Sequence, residues 1–214
     1  MSDDSSDAGP LGILERIRRP PAPVRAGERC ELCGVDIPDD HSHVADVEDR
    51  GLRCACRPCA LLFTRPGAAG GRFRTVPDRY LAVTDLELSP GQWDALQIPV
   101  AMAFFFRSSR SGEVAGFYPS PAGATECLLP LEAWAEIEDA NPVVTTIEPD
   151  VEAVLLRATP PGFECFVVPI DACYELVGHL RRLWRGFDGG REAHDRMTAF
   201  LDGIRSRART VGRG

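Results

Sequence analysis

The spacing of the cysteines constrains this chain more than any other feature of its sequence. Five of the eight cysteines fall between residues 30 and 59, where Cys30-x2-Cys33 and Cys56-x2-Cys59 form two pairs. A Cys-x2-Cys step lets both sulfurs of a tight turn reach one ion at about 2.3 Å, and four sulfurs complete a tetrahedron. The spacing therefore predicts a metal centre at Cys30, Cys33, Cys56 and Cys59. Zinc is the expected ion and iron is the alternative.

Three more residues of the same stretch carry metal-binding groups. Cys54 offers a second way to choose a pair in CACRPC, and spacing favours Cys56 with Cys59. His41 and His43 are expected to be solvated loop residues, because four cysteines already saturate zinc. The alternative is a second metal bound by Cys54, His41 and His43, for which the sequence offers no fourth ligand of a suitable type.

The cellular compartment bears on whether these cysteines bind metal or form disulfides. The first ten residues lack the basic and apolar regions of a secretory signal. The longest apolar run, IPVAMAFFF at 98–106, is far below the roughly 20 residues needed to span a bilayer. We therefore expect a soluble cytoplasmic protein without membrane insertion, in which reduced thiols favour metal. The isolated Cys127, Cys165 and Cys173 are expected to be small buried apolar side chains.

The charge balance argues against two classes of binding partner. The chain has 24 Lys+Arg against 32 Asp+Glu, a net charge of −8. Residues 25–65 alone contain six arginines and eight acidic residues. Nonspecific binders of nucleic acid or anionic membranes need concentrated positive charge. We therefore expect no nucleic-acid partner.

The rest of the chain is predicted to be an α+β protein in three parts. Residues 1–27 are a mobile arm, residues 28–66 a cysteine-rich zinc module, and residues 72–214 an α+β domain, with RPGAAGG at 65–71 as the linker. In the last part, apolar runs around RSSRSG and TPPG predict two antiparallel hairpins. Apolar residues at three- and four-residue steps then predict helices at 171–187, capped by Asp171, and at about 191–208.

Residues 72–214 lack the sequence motifs of the common enzyme classes. This part contains no P-loop, dinucleotide-binding glycine pattern, nucleophile elbow or HExxH motif. YPSPAGATE at 118–126 is expected to be a wide hairpin connection. The sequence therefore offers no catalytic or cofactor-binding residue, and it favours a non-catalytic protein.

The cysteine-rich module resembles a known type of zinc scaffold. A knuckle, a hairpin and cysteines entering a helix follow the order of a treble clef, and RGLRCACRPCALL resembles the corresponding part of treble-clef HNH nucleases. The resemblance covers about residues 28–63. Those nucleases commonly carry asparagine where this chain has Ala60, and DDHSHVAD does not reproduce their catalytic pattern. The resemblance implies a zinc module of that shape without nuclease chemistry.

A longer resemblance covers about residues 28–188. RCELCG, CACRPCALLF, YPSPAGATE, NPVVTTIEPDVEAVLL and VPIDACYELVGHLRRLWRGF resemble an uncharacterised actinobacterial family whose genes lie among [NiFe]-hydrogenase structural and maturation genes. This implies an accessory protein that assists assembly or operation of a hydrogenase by contacting a hydrogenase subunit or a maturation factor.

Two other function classes are also compatible with the sequence. The first is a rubredoxin-like redox protein with iron in the four-cysteine site. Rubredoxin has glycine after each cysteine pair, whereas Ala60 follows the second pair here, which counts against this class. The second is a nucleic-acid-binding zinc module, which the acidic charge disfavours.

Overall fold

The computed structural model of the chain describes residues 28–183 and 190–212. The arm predicted at 1–27 and the predicted helix end at 184–187 lie outside these residues. The strands are β1 Ser42–Asp46, β2 Gly51–Ala55, β3 Phe73–Thr75, β4 Leu81–Val83, β5 Met102–Arg107, β6 Val114–Ser120, β7 Gly123–Cys127, β8 Glu152–Thr159, β9 Gly162–Pro169 and β10 Arg209–Val211. The helices are α1 Arg57–Leu61, α2 Pro90–Ala95, α3 Leu131–Ala140, α4 Ile170–Leu183 and α5 Gly190–Arg207, with 3-10 turns at Ala68–Gly71 and Pro142–Thr146.

A small sheet carries the cysteine-rich segment. Its strands are antiparallel in the order β2-β1-β3. The 3-10 turn Ala68–Gly71 occupies the predicted linker, and β3, which follows it, pairs with β1. Residues on both sides of the linker therefore contribute to one sheet.

A seven-stranded sheet forms the rest of the fold. Its order is β10-β4-β9-β8-β5-β6-β7, and the pairs are antiparallel except for β10 with β4. The two predicted hairpins are present as β5–β6 and β8–β9. The segment predicted as a wide connection at 118–126 is instead mostly paired strand, because β6 extends to Ser120 and β7 begins at Gly123. Two helices follow the sheet, so the predicted α+β class is confirmed.

Alternation of side chains gives the large sheet two apolar faces. On β5, Phe104 and Phe106 face one way and Ala103 and Phe105 the other. The first face packs against α4 and α5 through buried residues such as Leu176. The opposite face is covered by α2, α3 and the turn after α3, whose buried side chains are Trp93, Leu96, Trp134, Ile137, Val143 and Val144. Helices thus cover both faces of the sheet.

The small sheet packs against the α4 side of the large one. Ala45 and Val76 belong to the same buried cluster as Leu176, and Leu52 packs against it. Arg74 also donates a hydrogen bond to Glu148 Oε2 at 3.1 Å. Independent folding of residues 28–66 and 72–214 stays a prediction, but these contacts position the cysteine-rich segment beside the first turn of α4.

Membrane insertion can be judged from the helices. None of those in the described ranges is both long enough and apolar enough to cross a bilayer.

Candidate metal centres

The first Cys-x2-Cys pair lies in a tight knuckle before β1. The Gly34 N–H donates to Cys30 O at 2.7 Å, and the Cys30 N–H donates to Val35 O at 2.9 Å. Gly34 has φ +76°, a left-handed conformation that side chains with a Cβ disfavour. The knuckle is held to β2, because the Glu31 N–H donates to Cys54 O at 2.9 Å.

The second pair spans the junction between β2 and α1. Cys56 is the residue before the helix, and Pro58 and Cys59 are the second and third residues of the helix. The Ala60 N–H donates to Cys56 O at 3.0 Å, which closes that turn. Because β2 contacts the knuckle and leads directly into the second pair, the two cysteine pairs lie next to each other.

The four cysteines predicted from spacing come together. Their sulfurs all lie within 4.8 Å of one another, and Cys33 Sγ is 3.7 Å from Cys56 Sγ. Sulfurs bound tetrahedrally at about 2.3 Å from one ion would be about 3.8 Å apart. All eight cysteines are described, and all are free thiols. The group has the donors and the spacing of a four-sulfur metal centre.

Hydrogen bonds from the backbone and between the thiols change the pKa values of these cysteines. Burial opposes ionisation of Cys30, but hydrogen bonds from the backbone of Cys56, Leu32 and Cys33 outweigh it and lower the pKa of Cys30 to about 6. A hydrogen bond with the Cys56 side chain is the main cause that raises the pKa of Cys59 to about 12. The centre therefore stabilises a first thiolate, and a bound cation would supply the charge that stabilises the others.

Only a small apolar cluster surrounds the sulfurs. Its buried members are Cys30, Ile37, Val44, Ala55 and Ala60. The cluster is small, and natural small modules often add disulfides or a metal to a core of this size. Because the cysteines are free thiols, a metal bound to them would add a crosslink to the contacts that the small sheet makes with the large one.

A second group contains the three residues considered as alternative ligands. One ring nitrogen of His41, one of His43 and the Cys54 sulfur all lie within 4.8 Å of one another. The expectation of solvated loop histidines is wrong, since His43 lies in β1 and the His41 side chain is only 6% exposed. Cys54 thus joins the two histidines and not the four-cysteine group.

Asp171 contacts this second group, and sequence spacing could not predict that contact. Asp171 Oδ2 lies 2.8 Å from His43 Nδ1, although 128 positions separate them. This contact raises the pKa of His43, mainly through the hydrogen bond to Asp171. Asp171, predicted only as a helix cap, is the second residue of α4, and its carboxylate contacts the small sheet.

The remaining cysteines match their predicted role in two cases. Cys165 and Cys173 are 2% and 1% exposed in the cores on opposite faces of the large sheet. Burial raises the pKa of Cys165 to about 12. Cys127 is only partly buried, at the end of edge strand β7.

Comparison with known proteins gives a match at the level of a protein family. No curated protein and no solved structure gives a significant match to the chain. One family model matches residues 29–208, which include both groups of candidate metal ligands and every described strand except β10. The chain therefore belongs to that family, a family of unknown function designated DUF5947.

Proposed function

We propose that the four-cysteine group binds one zinc ion that stabilises the N-terminal segment, and that the protein is a non-catalytic accessory protein acting through protein contacts. The observation that carries this proposal is the convergence of four sulfurs within 4.8 Å of one another. Closed four-sulfur sites are the structural type of zinc site. The knuckle, the β1–β2 hairpin and α1 also follow the order of a treble clef.

Metal analysis of the purified full-length chain tests the zinc assignment. The double variant Cys56→Ser/Cys59→Ser should contain one zinc fewer per chain than the wild type, whereas Cys127→Ser should keep the wild-type content. A red protein with iron in place of zinc would instead support the rubredoxin-like alternative, because zinc has no colour. Equal zinc content in the double variant and the wild type would contradict the proposal.

Apolar side chains on the cysteine-rich segment support a role in protein contact. Leu61 and Leu62, at the end of α1, are 57% and 67% exposed, and Val35 on the knuckle is 51% exposed. Contiguous exposed apolar residues mark surfaces that bind other proteins, and Leu61 and Leu62 are neighbours in the chain. The partner we propose is a hydrogenase subunit or maturation factor, which is the class implied by the sequence resemblance. Such a role would place the protein in the cytoplasm.

Affinity purification from a host that expresses the hydrogenase genes tests the partner. Full-length protein should recover a hydrogenase subunit or maturation factor, and Leu61→Ser/Leu62→Ser should recover less of it. Leu128→Ser is the matched control, because Leu128 is 96% exposed but lies beyond β7, outside the segment. Recovery of neither kind of protein by the full-length bait under mild lysis would overturn the partner proposal.

A further inference from the structure

We propose that His41, His43 and Cys54 form a second metal site, which binds a divalent ion of the zinc class and leaves one coordination position open to a groove. This site goes beyond the proposed function, which requires only the four-cysteine centre. It has two nitrogen donors and one sulfur donor, a set that suits zinc and its neighbours in the first transition row.

The β1–β2 hairpin assembles two of the three donors. His43 and Cys54 are directly opposite each other in its antiparallel register. Side chains of such pairs leave the sheet on the same face. His41 precedes His43 by two positions, and the two rings have centroids 4.8 Å apart and planes inclined by 53°. The rings are therefore neighbours without stacking, and both can point a nitrogen at one ion beside Cys54.

The hydrogen bonds of the histidines determine which nitrogens are free to bind metal. His41 Nδ1 lies 2.9 Å from Pro38 O, and His43 Nδ1 lies 2.8 Å from Asp171 Oδ2. A carbonyl and a carboxylate only accept hydrogen bonds, so both Nδ1 atoms carry the proton. The neutral rings then present the Nε2 lone pairs. This is how histidines that bind metals are usually oriented, by a carbonyl or carboxylate behind the ring.

An unpartnered nitrogen points independently to a ligand. His41 Nε2 is buried and has no hydrogen-bond partner among the described residues, on a side chain only 6% exposed. A buried polar atom left without a hydrogen-bond partner is destabilising. A metal ion bound to Nε2 would satisfy this atom and would explain why a histidine occupies the position.

The surroundings favour a cation and leave room for a further ligand. A groove of about 930 Å³ lies between the small sheet and the start of α4, and all three donors line it. Its walls carry seven carboxylates against two arginines: Glu28, Asp36, Asp39, Asp40, Asp78, Asp171 and Glu175 against Arg57 and Arg207. Three protein ligands plus one open position is the arrangement of zinc sites that exchange water for a small ligand. The fourth position would therefore hold water or a small anion from the groove.

Zinc stoichiometry of the untagged full-length chain tests the site. After dialysis against zinc and gel filtration, the wild type should hold two zinc ions per chain. Cys54→Ser and His41→Gln should each hold one, because both keep the four-cysteine centre, and the double variant Cys56→Ser/Cys59→Ser should hold at most one. His179→Gln and Cys127→Ser are the matched controls and should hold two. One zinc in the wild type, unchanged by Cys54→Ser and His41→Gln but lost in the double variant, would overturn the second site and leave the four-cysteine centre standing.

Cobalt spectroscopy tests the open position and guards against misfolding. With zinc in the four-cysteine centre, cobalt bound at the second site should give a visible spectrum that azide shifts in the wild type. Circular dichroism should show that Cys54→Ser and His41→Gln are folded, and neither should show the azide-dependent spectrum. A cobalt spectrum that azide leaves unchanged would overturn the open position.

Discussion

Replacing Glu152 with glutamine should destabilise the protein strongly, although the two side chains have the same shape. Glu152 is fully buried at the start of β8. Arg79 Nε donates to its Oε1 at 2.6 Å and Arg79 Nη2 donates to Oε2, while the Glu148 N–H donates to Oε2 at 2.8 Å. Three donors therefore converge on one carboxylate that water does not reach.

The expected size of the effect follows from these contacts. Glutamine keeps one acceptor oxygen but turns an N–H group toward donors, so the forked pair with Arg79 is lost. A charge-assisted hydrogen bond contributes about 1.5–3 kcal/mol, and breaking a buried pair costs about 3–5 kcal/mol. The Arg79 side chain is 36% exposed, so water can hydrate it in the variant. The loss of stability is therefore smaller than for a pair in which both partners are buried. We expect Glu152→Gln to lower the free energy of unfolding by about 3 kcal/mol.

Urea denaturation at 25 °C with zinc in the buffer, followed by circular dichroism, measures this change. Glu164→Gln is the matched control, since Arg205 Nε donates to Glu164 Oε1 at 3.1 Å and Arg205 Nη2 donates to Oε2 at 2.8 Å, the same fork on a side chain that is 27% exposed. Pairs that water reaches contribute at most about 1 kcal/mol. Equal destabilisation by the two substitutions would refute the reasoning that burial makes the Glu152 pair important.

Two further predictions concern other buried positions. Hydrogen bonds from Arg72, then Arg53, hold the pKa of the buried Asp46 below its ordinary value. The stability that Asp46 contributes should therefore be complete above pH of about 4 and be lost as the pH falls below it. The difference in unfolding free energy between wild type and Asp46→Asn should shrink over that range, and a difference independent of pH would contradict this assignment. At Gly116, an added Cβ would lie 2.7 Å from Cys127 Sγ and 3.0 Å from Phe105. Gly116→Ala should destabilise by about 1–3 kcal/mol, whereas Gly178→Ala, in α4 with no atom within 4 Å of the added Cβ, should stabilise by about 0.5–1 kcal/mol; urea denaturation showing the same sign for both would contradict the steric argument.

Local patterns were sufficient for α4 and for the β8–β9 hairpin. The three- and four-residue spacing of Cys173, Leu176, Val177 and Leu180 predicts α4, and all four are buried. The apolar runs around TPPG predict β8 and β9, which pair from Glu152–Pro169 to Thr159–Gly162. These elements could be predicted because the period of a helix and the turn of a hairpin depend on residues that are close together in the chain.

Short strands paired over long distances could not be predicted. Strands β3, β4 and β10 have three residues each, too few to show a period. Arg209 of β10 pairs with Leu81 of β4, and β4 pairs with β9. Such short strands form by pairing with the edge of the large sheet. That edge exists only after segments that are distant in the chain have packed together.

The two groups of candidate metal ligands show the same difference between local pattern and tertiary packing. The cysteine spacing was enough to predict the four-cysteine group, because each Cys-x2-Cys step brings its own two sulfurs together within one turn. The spacing also predicts that His41, His43 and Cys54 lie near one hairpin. That these three residues converge, that His41 is buried, and that Asp171 orients His43 depend on tertiary packing. The physical reason is that burial and the contact with α4 depend on how the small sheet packs against the large one, which the spacing within residues 28–60 does not encode.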